Sequence, residues 1–144
     1  MADFTTRLIV VPVIKDPSGR VLICKMASDR GVFPGQWGLP GGGVEAGERI
    51  EEALHREVSE ELGVSIQKIE PLIFKDGLHE KVFVNGDKRL IYMVFLLYEC
   101  QLALNQELHL NAEFSEYQWV EPSSLTGYDL NTQTLDTFAK LGLM

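Results

Sequence analysis

Glu57, Glu60 and Glu61 stand at i, i+3 and i+4 near the end of a stretch, GERIEEALHREVSEELGV, whose spacing predicts a helix. On a wheel of about 100° per residue, Ile50, Leu54, Val58 and Leu62 draw an apolar stripe toward a core. Seven residues are nearly two turns, so Glu57 falls about 20° from the line of Ile50, and Glu61 likewise from that of Leu54. Both carboxylates should leave the helix on its protein-facing side with Glu60 beside them, while Arg49, Glu52, Arg56 and Ser59 point elsewhere. Acids in a first turn, such as Glu51 and Glu52, gain from the helix dipole; acids late in the helix do not, and at these spacings they repel one another. Partial burial of three neighbouring carboxylates is costly unless a cation sits among them. One arginine cannot neutralise all three, whereas a divalent ion can. Oxygen-only ligands suit Mg²⁺, with Mn²⁺ as the alternative. His55, His79, His109, Cys24 and Cys100 have no zinc-ligand spacing.

Such a site needs a scaffold. TRLIVVPVIK (Thr6 to Lys15) is rich in β-branched residues and predicts a buried strand, DPSG a turn, and RVLICKM a returning strand. ASDRGVFPGQW is a Gly- and Pro-punctuated loop leading into GLPGGG. The acidic helix is expected from Gly47 to Leu62, with Gly63 at the stop position. IEPLIFKDGLHEKVFV and KRLIYMVFLLYEC predict strands joined at Asn85-Gly86, and EYQWVEP one more strand closed by Pro122. A last helix is expected from Thr132 to Leu141, capped by Asn131 or Asp129. The order of elements predicts an α/β fold, a mixed sheet with helices on its faces.

The 144 residues, 45% hydrophobic and 24% charged, have the length and composition of one soluble domain with its own core. A formal net charge of -8 disfavours nucleic-acid polymers and anionic membranes, and requires local masking before an anionic small molecule can bind. MADFTTRLIV lacks the basic start and cleavage-like tail of a signal peptide, and the longest apolar run, LIYMVFLLY, is only strand-sized. A cytoplasmic protein with two reduced core thiols, Cys24 and Cys100, is expected.

From Gly42 the chain reads Gly, five residues, Glu48, seven residues, then REVSEELGV, Arg56 to Val64. This resembles the Nudix box, G-x5-E-x7-R-E-U-x-E-E-x-G-U with U apolar, at every fixed position. Seven such identities would coincide by chance on the order of 10⁻⁸ per starting point. The opening strands, FPGQWGLPGG and the late W-V-x-P-x-x-L extend the likeness across the chain. It implies a single Nudix hydrolase domain over 1–144, box at 42–64, folded as an α/β/α sandwich with a mixed sheet and helices on both faces. A narrower resemblance, in CKMASDRGVFPGQW, GERIEEAL and YDLN, is to bacterial nucleoside triphosphatases of that family.

What the resemblance implies can be placed residue by residue. Glu57, Glu60 and Glu61 bind the divalent ions, helped by a backbone carbonyl at Gly41 or Gly42. Arg56 orients Glu57 or pairs with neighbouring acids; Glu48 steadies the loop–helix junction; Gly63 ends the helix. An acid outside the box commonly assists as ligand or base, here Glu113, with Glu116 second. Lys25 and Arg30 are candidates for the phosphates. Asp129 and Asn131 are candidates for the base, although helix capping alone would explain both. Phe33 could stack on a base; for Trp37, core packing is preferred.

The implied reaction is Mg²⁺-dependent hydrolysis of nucleoside triphosphates, of the pyrimidine deoxynucleotide kind such as dTTP, dUTP and dCTP, to the monophosphate and pyrophosphate. No Ser or Cys nucleophile motif is present, consistent with direct attack by water. Glu60 or Glu113 would take its proton. The alternatives are another nucleoside diphosphate-X, such as ADP-ribose, a dinucleoside polyphosphate or a sugar nucleotide, and a non-catalytic Nudix-like nucleotide-binding module. The partner is a small nucleotide, and a homodimer is possible.

Overall fold

The computed structural model describes residues 5–144; Met1–Phe4, the first residues of the expected plain opening, lie outside that range. Two sheets form the centre. In the larger, β1 (Thr5–Ile14) runs parallel to β6 (Lys88–Leu102), β5 (Ile66–Val82) pairs antiparallel with the far side of β6, and the two-residue β4 (Gly42–Gly43) pairs antiparallel with the outer edge of β1. In the smaller, β2 (Val21–Met26) lies between β3 (Trp37–Gly38) and β7 (Phe114–Val120), all antiparallel. Helix α1 is Ile50–Leu62 and α2 is Thr132–Lys140.

Strand alternation divides the interior into two layers. Val10, Ile14, Leu22 and Cys24 pack with Ala53, Leu54, Val58 and Leu62 of α1. Their neighbours Ile9, Val11, Val13, Val21 and Ile23 pack on the other side with Phe138 of α2. The result is the expected α/β/α sandwich with a mixed sheet and helices on both faces.

Local chemistry explains the joints. Asp16 Oδ1 accepts the Ser18 and Arg20 N–H groups at 3.1 and 2.8 Å, closing the first turn. The β5–β6 hairpin turns at Asn85-Gly86 as expected, with Gly86 at φ 88° and Asn85 Oδ1 accepting the Asp87 N–H at 2.9 Å. Strand β5 carries register shifts between Gln67 and Glu70 and between Pro71 and Phe74, where a proline without an N–H interrupts the ladder. Cys24 and Cys100 are free and buried, and burial pushes both thiols up, Cys100 to about 12.

Some boundaries differ from expectation. Helix α1 begins at Ile50 rather than Gly47, because Gly47 takes φ 80° and the Arg49 N–H is capped by Glu52 Oε1 at 2.9 Å. Ile50, at the fraying first position, is 38% exposed and is not part of the core stripe, whereas Leu54, Val58 and Leu62 are fully buried. Gly63 ends the helix in the left-handed conformation, φ 67°. Asn131, not Asp129, caps α2, accepting the Thr134 N–H at 2.8 Å. Pro122 opens an unexpected 3-10 helix, Pro122–Gly127. Among the described residues no helix is long and apolar enough to cross a membrane.

Leu54→Ala should therefore cost about 2–5 kcal/mol in urea denaturation. Ile50→Ala, which empties no closed space, should cost less than about 1 kcal/mol.

Candidate active site

The site begins at a strand edge without side chains. Gly41 has φ 148°, and a Cβ there would meet the Val10 carbonyl. A Cβ on Gly42 would overlap the Glu57 carboxylate, and one on Gly43 the Arg7 guanidinium. The stripped edge is what allows α1 to lay its acids against the sheet. Glu61 is 5% exposed, and its Oε1 accepts the Gly41 N–H at 2.9 Å. Glu57 is mostly buried against Gly42.

Glu60 does not join them inside. Its side chain is 56% exposed, because on this helix it lies about 60° from Glu57 and about 100° from Glu61, on the side away from the core. The expectation of three partly buried acids is thus corrected to two, with a third at the rim.

Arg56 binds the group together. It forks onto Glu48, Nε to Oε2 at 2.6 Å and Nη2 to Oε1 at 2.9 Å, and Nη2 also donates to the Gly43 carbonyl at 2.8 Å. Its Nη1 donates to Glu57 at 2.8 Å and to Glu60 at 3.2 Å. Hydrogen bonding to Arg56 draws Glu48 down to about 2, with the Glu45 N–H assisting. Burial acts oppositely on the inner acids. Desolvation raises Glu57 despite its bonds to Arg56, and desolvation followed by the charge of Glu57 raises Glu61 well above the usual carboxylate range, the Gly41 N–H only partly opposing.

These residues fit a hard divalent cation. The donors are all oxygens, the glycine edge provides the space that side chains would fill, and the buried charges lack full compensation. Among the described residues no three acids already converge as a ligand group, since Arg56 holds Glu57 and Glu60 while Gly41 holds Glu61.

A cleft of about 200 Å³ adjoins this edge. Glu61, Glu113 and Gly41–Gly43 line one side of it, and Arg7, Ile9 and Val11 of β1 and Ile91, Met93 and Phe95 of β6 form its floor. Arg30 and Phe33 come from the loop after β2, and Asn131, Gln133 and Thr134 from the start of α2. Glu113 lies 4.0 Å from Arg30. Phe33 meets His79 edge-on at 5.4 Å. Two candidate residues are not brought here: Lys25 points to the outside, 3.6 Å from Glu116, and Asp129 accepts from Gln36 Nε2 at 3.2 Å. Trp37 packs edge-on against Tyr128 at 5.2 Å.

Sequence reasoning missed Arg7, Lys81, Gln133 and Thr134, all on the cleft. For Arg7 the signal was faint: an arginine at the start of a strand whose later residues are apolar. Gln133 and Thr134 could have been found from their place in the first helical turn after the capping Asn131.

Comparison with known proteins agrees with this geometry. Residues 5–140 match the family model described as NUDIX domain. The chain is 50% identical over 140 residues to the nucleoside triphosphatase NudI of Escherichia fergusonii, covering 96% of this chain and 98% of that protein. The NudI of Shigella flexneri matches to the same extent, 50% over 140 residues, 96% of this chain and 98% of its own. Among solved structures, the MutT NUDIX hydrolase of Burkholderia pseudomallei superposes with TM-score 0.74 at 26% identity, covering 94% of this chain and 97% of that one. The MutT protein of Methanosarcina mazei Go1 does so with TM-score 0.73 at 22% identity, covering 97% and 95%.

Gly42→Ala should push the Glu57 carboxylate away from the edge strand without backbone strain. Titration calorimetry with Mn²⁺ should show affinity lowered roughly 10–100-fold, with little change in Tm.

Proposed function

The chain belongs to the Nudix domain family and is a Nudix pyrophosphohydrolase, and on that premise we propose that it hydrolyses nucleoside triphosphates to the monophosphate and pyrophosphate with Mg²⁺, taking pyrimidine deoxynucleotides such as dTTP, dUTP and dCTP. The observation that carries this reading is that Glu61 lines one small, partly aromatic cleft at the glycine edge, with Glu57 packed against Gly42 of the same edge. NudI relatives named nucleoside triphosphatases, similar along nearly the whole chain, support the substrate class.

Glu57, Glu60 and Glu61, with a carbonyl of Gly41 or Gly42, would hold the divalent ion. When bound, that ion neutralises phosphate charge and makes the attacking water more acidic. The chain's own residues do the remainder. Arg56 keeps Glu57 turned toward the edge strand while fastening the Gly43–Glu48 loop to α1, so the acids keep their places when substrate arrives. Arg7, Arg30 and Lys81 supply positive charge around the cleft that a chain of net charge -8 must provide locally for a triphosphate. Glu113, exposed at the cleft near Arg30, accepts the proton of the attacking water, with Glu60 as the other candidate. Phe33 and Phe95 give apolar surface for a single base ring. Most of the rate then comes from positioning and charge neutralisation.

Two experiments test this. Glu57→Gln keeps the shape but removes the charge; Mg²⁺-dependent turnover should drop by roughly 10³-fold with the fold retained in circular dichroism, and full activity would reject the metal assignment. In a substrate panel read by pyrophosphate release for the triphosphates and by nucleoside monophosphate formation for all, dTTP, dUTP and dCTP should outpace dGTP and ADP-ribose. ADP-ribose as best substrate would overturn the proposal.

A further inference from the structure

We propose that Gln133 is a specificity-determining residue whose side-chain amide, locked as a donor by Thr137 and Lys75, selects a keto oxygen at position 4 of the pyrimidine ring; this rests on the pyrimidine-nucleotide reading above. Gln133 lies in the first turn of α2, is 9% exposed and lines the cleft. One turn later the fully buried Thr137 donates its hydroxyl to Gln133 Oε1 at 3.0 Å.

The direction of that bond is set from behind. Lys75 Nζ, reaching from β5, donates to Thr137 Oγ1 at 3.1 Å and to the Gln133 backbone carbonyl at 3.1 Å, and it is paired with Asp136. An ammonium can only donate, so it occupies one of the two lone pairs of the Thr137 hydroxyl and favours donation of the hydroxyl proton to Gln133 Oε1. The glutamine presents its carbonyl to Thr137, which leaves Nε2 as its outward group. Among the described residues no sealed side-chain polar atom lacks a partner, and Nε2 makes no hydrogen bond, so Nε2 is not sealed, on a residue that lines the cleft.

Asn131 is oriented in the same sense. Its Oδ1 is committed to the Thr134 N–H, so Nδ2 is its remaining polar group. This end of the cleft therefore offers two amide donors whose own acceptors are already used. Such a surface matches a ligand edge made of acceptors. All pyrimidines carry a keto oxygen at position 2. Uracil and thymine add another at position 4, where cytosine carries an amine. An N–H facing that amine would leave both donors unsatisfied, which costs more than the absence of a bond.

The test is the ratio of kcat/KM for dUTP to that for dCTP, measured with Mg²⁺ on the same preparation so that losses from misfolding cancel. The native chain should favour dUTP by about tenfold or more, the worth of one neutral hydrogen bond. Gln133→Glu, which replaces the donor by an acceptor, should bring the ratio to one or below. Thr137→Val releases the amide to flip and should lower the ratio severalfold, and Thr137→Ser, which restores the hydroxyl, should recover it. A native ratio near one, or a ratio unmoved in both Gln133→Glu and Thr137→Val, overturns the assignment while leaving the pyrimidine reading in place. If neither nucleotide is hydrolysed, the pyrimidine reading itself fails and takes this assignment with it.

Discussion

Two carboxylates buried against a glycine edge are the constraint on which the rest of this structure depends. Removing a carboxylate from water is expensive, and Glu61 receives only one backbone N–H in return. Glu57 receives one arm of an arginine, and burial still outweighs it. A purely structural helix would place leucine at both positions, as it does at the neighbouring Leu54 and Leu62. The chain instead keeps a local instability at the point where catalysis would need concentrated negative charge, and offsets it with two well-filled layers of aliphatic packing on either side of the sheet.

Arg56 makes that arrangement durable without cancelling it. Its fork on Glu48 and its bond to the Gly43 carbonyl fasten the loop, and with it the edge strand, to the helix that carries the acids. Because its remaining arm is shared between Glu57 and Glu60, neither acid is fully neutralised. A lysine could not do this, since one ammonium lacks the planar fork that spans four groups in fixed directions.

Much of this was legible in the sequence, for identifiable reasons. The fold followed from strand-sized apolar runs and turn residues, and Gly63 and Asn85-Gly86 stand where their conformations require them. The inward direction of Glu57 and Glu61 followed from helical periodicity alone. The same wheel placed Ile50 in the core and Glu60 beside the inner acids, and both failed for a local reason: the helix starts at Ile50, where its first turn is not yet covered, and Glu60 lies past the boundary of the buried flank. Lys81 and the orientation of the Gln133 amide were not legible, because they come from tertiary neighbours. Gln133 acquires its orientation from Lys75, 58 residues away in the chain, and no periodicity encodes such a pairing.

The split into two layers also explains why the edge strand must be glycine. Helix α1 packs with the even-numbered residues of β1, Val10 and Ile14, whereas Arg7, Ile9 and Val11 of the same strand face the cleft and the layer of α2. Acids carried by α1 therefore start on the opposite side of the sheet from the cleft. They can reach it only around the sheet's edge, and that edge is β4, a strand of two residues. Any side chain at Gly41 or Gly42 would close this passage, against the Val10 carbonyl in one case and the Glu57 carboxylate in the other. The glycine run is thus a window through which a helix on one face serves a pocket on the other. Strand pairing with Ile9 and Val10 keeps the window from widening. The acidic helix, the short strand and the cleft are consequently joined in space by this one gap in the side chains.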